Sequence, residues 1–462
     1  MKAADKARAA FANGEAVYFY DCALEAATHL DIAPQQRAAI CESKGHVHFC
    51  RSEFPEAIDA YRRAFTEVTT DADRARLNAA LSQALVWAHE NDAATTAATE
   101  ALVVARSTGQ LDVAAQAQFV VGFVQMVQGQ LEEATRCYAD AVTLARAAGQ
   151  PVLGGQIELF DGLTFNWRGE YRTAIQRVEP VLAMFREENQ LLHFVQACST
   201  FTITLGGGGE YARALALLTE GIALSESIGD KVWRARMWNT RGWILGEFGV
   251  NEAAAEANRR CVEIARQLGP QRIASELIGN AEANLADLAL AHGDLPGAES
   301  HLAAVAVILG DPRNKWMTWR YGMHYQLSSA ELALARGEPG RARQHIETCQ
   351  VTAERTRSRR YVIRASRLLA ECHVAGGNLV EAERLLAAAV RDAKTLGNPP
   401  QLWHAGLALG RVLHGLGRRD EATATWREAL DVVEAVARTV PEDVRASLLG
   451  AAFSATLQEL TA

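Results

Sequence analysis

The sequence has little of what marks catalytic, disulfide-bonded or membrane proteins. Only 11 of its 462 residues are proline, and no apolar run approaches the roughly 18 residues that suggest a membrane span. The eight cysteines are scattered and form no CxxC pair, which is typical of reduced, mostly buried thiols. The formal net charge is −8, whereas nucleic acid and anionic membranes attract basic surfaces. Since residues 1–16 contain no apolar signal core, we expect a cytoplasmic protein that binds neither nucleic acid nor membrane.

Motifs of cofactor, metal and nucleophile chemistry are also missing. The glycine run Gly206–Gly209 precedes Glu210 rather than the Lys-Ser or Lys-Thr of a phosphate-binding loop, so we interpret it as a flexible turn that could act as a hinge. His46 and His48 stand two residues apart, a spacing that places them on different sides of a helix and does not favour zinc. No GxSxG or HExxH motif occurs. We therefore expect no catalysis, no metal and no cofactor, and we interpret the charged run 354–360 as a solvated connection.

What the sequence does contain is an internal repeat, which lets a long chain fold without enlarging any single core. Glycines that precede short polar turns recur at intervals of 40 or 44 residues, and an alanine follows each of them by five residues. The glycines are Gly129, Gly169, Gly209, Gly249, Gly293, Gly337, Gly377 and Gly417; the alanines are Ala134, Ala174, Ala214, Ala254, Ala298, Ala342, Ala382 and Ala422. This spacing predicts pairs of helices, A and B, in which the glycine ends helix A with a positive φ. A second glycine set, which includes Gly149 and Gly310, is predicted to end the B helices.

Two further positions predict how the helices of a pair pack. A small residue stands seven positions before each turn glycine, and a residue that is usually bulky stands nine positions after it. Small side chains allow two helices to approach to about 8–10 Å, and the bulky residue fills the remaining space. Asn258 is the one polar exception at the bulky position.

The segments GQLEEATRCYADAV from Gly129 and GRRDEATATWREAL from Gly417 resemble the tetratricopeptide repeat. The family repeat has 34 residues, whereas this one has 40 to 44. The resemblance implies an all-α, right-handed α-solenoid of about eleven helix pairs. We expect a degenerate helix pair in 1–34, the repeat array in 35–440, and a C-terminal capping helix in 441–462.

The length of the repeat, loops such as LARAAGQ and the tail WREALDVVEAVARTVPEDVRASLL are similar to one group of proteins in particular. They resemble the C-terminal tetratricopeptide regions of large bacterial signalling regulators, both those with a cyclase or ATPase and those of the LuxR/MalT type. No cyclase core or phosphate-binding loop occurs in this chain. The resemblance therefore implies the sensor or scaffold half of such a system.

In tetratricopeptide arrays the A helices line the concave face, so a ligand site is expected there. Counting back from the turn glycines gives the candidate site residues, which are Gln156, Phe160, Asn166, Gln196, Thr200, Arg236, Asn239, Thr240, Trp243, Asn280, Asn284 and Asp287. The same counting gives His324, Ser328, Glu331, Arg364, Arg367 and Glu371 in later repeats. Amide, indole and guanidinium groups suit recognition of a peptide or protein, and we expect Arg236 to meet a ligand carboxylate.

Three functions remain open at this point. The first is a non-catalytic scaffold or sensor that binds a peptide or protein, and the second is the regulatory, ligand-sensing half of a signalling system. The third is an enzyme on a helical-repeat fold, which a compact pocket with a carboxylate and a histidine would favour. Packing between the helices is an alternative to ligand binding for Trp233, Trp238, Trp316 and Trp319. The sequence leaves the oligomeric state open.

Overall fold

The computed structural model describes residues 1–10, 12–30, 32–269, 272–314 and 316–462. Within these ranges it contains 24 α-helices and no strand. The helices are α1 (Lys2–Ala9), α2 (Asn13–His29), α3 (Pro34–Cys50), α4 (Phe54–Glu67), α5 (Asp71–Trp87), α6 (Asn91–Thr108), α7 (Leu111–Val127), α8 (Leu131–Ala147), α9 (Pro151–Arg168), α10 (Tyr171–Glu187), α11 (Leu191–Gly207), α12 (Tyr211–Ser227), α13 (Lys231–Glu247), α14 (Asn251–Arg266), α15 (Arg272–Ala291), α16 (Leu295–Gly310), α17 (Thr318–Ala335), α18 (Pro339–Arg355), α19 (Arg359–Ala375), α20 (Leu379–Leu396), α21 (Pro399–Gly415), α22 (Arg419–Ala437), α23 (Glu442–Gly450) and α24 (Ala452–Thr461). No helix in these ranges is both long and apolar enough to cross a bilayer.

The helices form an α-solenoid of the tetratricopeptide type. Each odd-numbered A helix packs on the following B helix, from α1 with α2 to α21 with α22, and from α5 onwards successive A helices also contact one another. The predicted fold is therefore confirmed. The capping segment differs in detail, because it forms two helices rather than one: Ala451, between α23 and α24, has an extended backbone with φ −62° and ψ 144°.

The repeat positions have the packing roles that the sequence predicted. All eight turn alanines are completely buried, and all eight turn glycines have positive φ between 70° and 83°. A Cβ atom added at Gly122 would lie only 2.9 Å from the ring of Tyr138, so the bulky residue of helix B occupies the space left by the small residue of helix A. Gly310 is an exception, since it lies inside the last turn of α16 and is not among the positive-φ glycines.

The solenoid winds so tightly that residues almost 200 positions apart touch. Trp319 Nε1 donates a hydrogen bond to the Val127 carbonyl over 3.0 Å, across 192 residues. Asn398 Nδ2 donates to the Gly207 carbonyl over 2.7 Å, across 191 residues. We call this line of contacts between successive superhelical turns the seam. With repeats of 40 to 44 residues, one superhelical turn contains between four and five helix pairs.

Close packing against neighbouring repeats corrects the hinge interpretation of the glycine run. Gly206 and Gly207 are not in a flexible turn but in the last turn of α11, and both are buried. A Cβ atom at Gly206 would lie 2.9 Å from the ring of Trp243, and one at Gly207 would overlap the ring of Tyr171. Glycine is required here because other elements approach the backbone closely.

The charged run 354–360 is more than a solvated connection, although Glu354, Arg355 and Arg357 are exposed. Arg355 Nη1 donates to the Gln128 carbonyl over 3.4 Å, and Arg357 forms an ion pair with Glu132 over 2.5 Å. These contacts join α18 and the following loop to the earlier superhelical turn. The run therefore forms part of the seam.

Aromatic packing fills the inner face of the first superhelical turn. The ring centroid of Trp87 lies 5.1 Å from that of Phe123, 5.4 Å from Trp233 and 5.3 Å from Trp316. Phe160, predicted to face a ligand, lies 4.9 Å from Phe123 in this cluster. The packing alternative therefore holds for Trp233 and Trp316, which are 5% and 2% exposed.

The other two tryptophans of that set differ from each other. Trp319 is 8% exposed and belongs to the seam. Trp238 is only half-buried and lies beneath the guanidinium of Arg260, 5.1 Å from its carbon.

Candidate functional site

An inner cavity opens where the second superhelical turn begins. Its upper lobe has about 890 Å³ and its lower lobe about 1790 Å³ of space free of protein atoms, part of it open to solvent. The lobes meet at shared lining residues: Trp243, Glu247, Asn284, Asp287, Arg360 and Arg364. The upper lobe is lined by A helices of both turns, from Asn166 on α9 to Arg364 on α19. At its lower end Ala451–Phe453 line the cavity.

The structure brings seven of the twelve predicted site residues together in the upper lobe. They are Asn166, Asn239, Thr240, Trp243, Asn280, Asn284 and Asp287. The others do not line the cavity. Gln156 and Thr200 are buried, Phe160 is in the aromatic cluster, and Gln196 lines a small space at the seam beside Asp230.

Arg236 was predicted to meet a ligand carboxylate, but in the structure it pairs with a carboxylate of the protein itself. Its Nη2 lies 2.8 Å from Oε2 of Glu276, whose side chain is 2% exposed. Arg320 of the next A helix pairs with the same carboxylate. An ion pair buried in this way is costly to break, so Arg236 and Glu276 form the wall behind the cavity rather than its lining.

A cluster of amides covers one side of the upper lobe. Asn239 and Asn284 donate through Nδ2 to Oδ1 of Asn258, over 3.2 and 3.0 Å. Asn258 itself is completely buried and donates to the Ala254 carbonyl over 2.9 Å. Asn280 is joined to Glu276 on the same helix. The polar exception in the repeat pattern is therefore the residue that positions two cavity amides.

Charged groups cover the opposite side and are paired with one another. Asp287 accepts from His324 over 2.7 Å and from Arg364 over 3.2 Å, and Arg364 also pairs with Glu331 over 3.0 Å. Burial alone would raise the pKa of Asp287, but the guanidinium of Arg364 and the imidazole of His324 hold this pKa well below its usual range. Asp287 is consequently an anion whose charge is already neutralised.

Trp243 lies where the two lobes meet. The guanidinium of Arg360 lies over the Trp243 ring, 4.7 Å from the ring centroid. The indole Nε1 of Trp243 donates a hydrogen bond to Glu247 over 2.8 Å. Arg360 and Glu247 pair with each other over 2.5 Å. Because the three groups hold one another, the indole has a fixed orientation in the cavity.

Sequence reasoning missed several residues of the cavity. Arg320, Arg360 and Tyr361 line the upper lobe, but they fall outside the helix A positions that were counted from the turn glycines. The sequence feature that pointed towards the amide side of the cavity was Asn258, a polar residue at the repeat position where the other repeats have a bulky apolar residue. Within the described residues, no group of three or more His, Cys, Asp or Glu side chains could hold a metal ion.

Comparison with protein-family models and with curated proteins yields no match. Solved structures do match. A Rap protein complexed with competence and sporulation factor is 11% identical over 87% of this chain and 99% of its own, with a TM-score of 0.53. Aspartyl phosphate phosphatase F from Bacillus subtilis is 18% identical over 64% of this chain and 76% of its own, with a TM-score of 0.47. At these identities the likeness to the Rap protein shows the fold, a solenoid of helix pairs like those of tetratricopeptide repeats.

Proposed function

We propose that the protein is a non-catalytic scaffold or sensor that binds a peptide, or a peptide segment of a partner protein, in the inner cavity. The observation that carries the proposal is the convergence of A helices from both superhelical turns on one space. Amides and an indole come from α9, α13 and α15, and guanidinium groups come from α17 and α19.

The paired charges favour binding over catalysis. An acid or base catalyst needs a group that is free to exchange a proton with the substrate. Asp287 and Glu331 are instead held by Arg364, and Glu247 is held by Arg360. The upper lobe does hold a histidine and a carboxylate, since His324 lies 2.7 Å from Asp287. Because Asp287 is also paired with Arg364, we propose no chemical step for the cavity.

A sensor role in a bacterial signalling system is the finer form of this proposal. It is supported by the resemblance of the repeat to the tetratricopeptide regions of such regulators. The Rap protein of the same fold was solved in complex with competence and sporulation factor, so the fold can accommodate a bound partner. A ligand that contacts α9 and α19 together would link the two superhelical turns and so change how firmly they are held.

The double substitution of Asn239→Ala with Asn280→Ala tests this function. The probe is a mixture of synthetic hexapeptides with free termini, and retention is measured by equilibrium dialysis and mass spectrometry. We expect retention to weaken by roughly tenfold or more, since two hydrogen-bonding groups are lost. Circular dichroism should show an unchanged helix content.

The control is Arg259→Glu on the exposed face of α14, where Glu256 is the one ion-pair partner of Arg259 among the described residues. It should leave retention unchanged. If this variant abolished binding while the double variant bound normally, the ligand would lie on the B helices and the cavity would not be the site.

A further inference from the structure

The orientation of the cavity amides is fixed by acceptors that cannot donate. Asn258 Nδ2 lies 2.9 Å from the carbonyl oxygen of Ala254. A carbonyl only accepts, so the amide nitrogen must be on this side and Oδ1 of Asn258 on the other. That oxygen then requires donors, which obliges Asn239 and Asn284 to turn their Nδ2 atoms towards it.

Asn280 is fixed in the same sense. Its Nδ2 lies 2.7 Å from the Glu276 carbonyl and 3.0 Å from the Glu276 carboxylate, and neither oxygen can donate. All three amides therefore hold their nitrogens against the wall of the cavity. Among the described residues no group donates to their oxygens, which stay accessible from the cavity.

A fourth amide oxygen also lacks a donor, although it is itself buried. Asn166 lines the upper lobe, is 5% exposed, and its Oδ1 has no hydrogen-bond partner among the described residues. A buried acceptor without a donor is costly. The upper lobe therefore contains several oxygens that lack donors, on the side formed by α9, α13 and α15.

From this geometry we infer that the amide oxygens of Asn239, Asn280 and Asn284 bind a primary ammonium group of the ligand, either a peptide amino terminus or a lysine side chain. An ammonium group carries three donors and no acceptor, whereas a peptide N–H supplies one and a carboxylate none. Asn239 and Asn284 share one acceptor atom on Asn258, and Asn280 and Asn284 are one helical turn apart on α15. The three amides thus line the same side of the upper lobe. This inference rests on the proposed function.

The arginines of the opposite side do not oppose a cation, because each is already neutralised. The pairs are Arg320 with Glu276, Arg360 with Glu247, and Arg364 with Asp287. Glu276 is shared with Arg236, and Arg364 also pairs with Glu331, which Arg367 shares. With Glu371, the second partner of Arg367, the network contains five arginines and five carboxylates, so its charges balance. The preference of the upper lobe for a ligand is decided by the hydrogen-bonding groups rather than by net charge.

Three hexapeptide mixtures of varied sequence test the inference on the unaltered protein. The first has free amino termini and no lysine, the second is acetylated at the amino terminus and has no lysine, and the third is acetylated but carries one lysine. We expect the first or the third to be retained roughly tenfold or more over the second, because hydrogen bonds to a charged group are the stronger ones. Which of the two is retained identifies the source of the ammonium group.

Asn258→Leu tests the positioning role. The equivalent residue is Leu218, Leu302 or Leu386 in other repeats, so the helix pair should fold with unchanged or higher Tm. The Nδ2 atoms of Asn239 and Asn284 would lose their acceptor, the two amides could rotate, and the preference for ammonium peptides should fall to within about twofold of the acetylated mixture. Ile346→Leu, at the same repeat position in α18 and outside the amide cluster, should keep the preference.

The outcomes separate the two proposals. Equal retention of all three mixtures would overturn the ammonium inference while the peptide-binding function stood. Retention of none of them would overturn the proposed function, and the inference with it. Because the comparison of mixtures needs no variant, it decides the matter even if Asn258→Leu does not fold.

Discussion

Asp230 shows how one side chain can make the seam sensitive to pH. It caps α13 by accepting from the Trp233 amide over 2.9 Å and is 2% exposed. Burial raises its pKa from 3.8 to about 6, against the hydrogen bonds from the backbone amides of Trp233 and Val232, which lower it. The folded protein therefore keeps a proton that the unfolded chain loses between pH 4 and 6.

The direction of the effect on stability follows from this difference. The contribution of Asp230 to the free energy of unfolding is fully present below about pH 4 and is lost as the pH rises through about 6, a change of up to about 3 kcal/mol. Asp230→Asn, which can still cap the helix but does not titrate, should therefore gain stability relative to the natural protein between pH 4 and 7. Urea denaturation across this range measures the difference. A difference that stayed constant with pH would show that Asp230 has an ordinary pKa.

At the scale of one helix, α8 allows the repeat packing to be tested with a matched pair of alanines. Ala134 is completely buried, whereas Ala139 on the same helix is exposed. Ala134→Leu should overpack the contact with α7 and lower the free energy of unfolding by about 1–3 kcal/mol. Ala139→Leu should change it by no more than about 0.5 kcal/mol. Similar effects of the two substitutions on denaturant midpoints would argue against the assigned repeat positions.

The elements were predictable from the sequence to the extent that their packing is local. The turn glycines are set by a local positive φ and the turn alanines are completely buried, so a fixed spacing revealed both and, with them, the A helices that line the cavity. Gly207 and Arg360 contact residues in distant repeats, Asn398 and Glu247 respectively. Spacing within one repeat cannot encode such contacts, which is why the contacts of the glycine run and of the charged run 354–360 with distant repeats were not predicted.

For the whole molecule, the seam changes the kind of stability to expect. An open solenoid is stabilised by contacts between neighbouring repeats, and its ends unfold independently. Here Arg272 donates to the His89 carbonyl across 183 residues, Trp319 to Val127 across 192 and Asn398 to Gly207 across 191. These bonds join repeats that no neighbour interaction links. The array should therefore unfold more cooperatively than a sum over adjacent pairs predicts.

Two asparagines with the same local role separate the seam from ordinary helix capping. Asn378 and Asn398 both cap a helix through Oδ1, accepting from the Glu381 and Gln401 amides, but only Asn398 also reaches the Gly207 carbonyl. Asn378→Ala should cost about 1 kcal/mol, the value of one cap. Asn398→Ala should lower the free energy of unfolding by about 1–3 kcal/mol more than Asn378→Ala does, because it also leaves the buried Gly207 carbonyl without its donor.

The decisive measurement for this pair is hydrogen exchange in α11, which lies almost 200 residues before Asn398 in sequence. If the seam couples the superhelical turns, Asn398→Ala should reduce protection in residues 191–207, since these amides then open without disrupting the later repeats. Asn378→Ala should reduce protection only around α20. Loss of protection confined to α20 and α21 in both variants would mean that each repeat is stabilised by its neighbours alone. In that case the cavity, which both turns line, would be held open or closed by its ligand rather than by the seam.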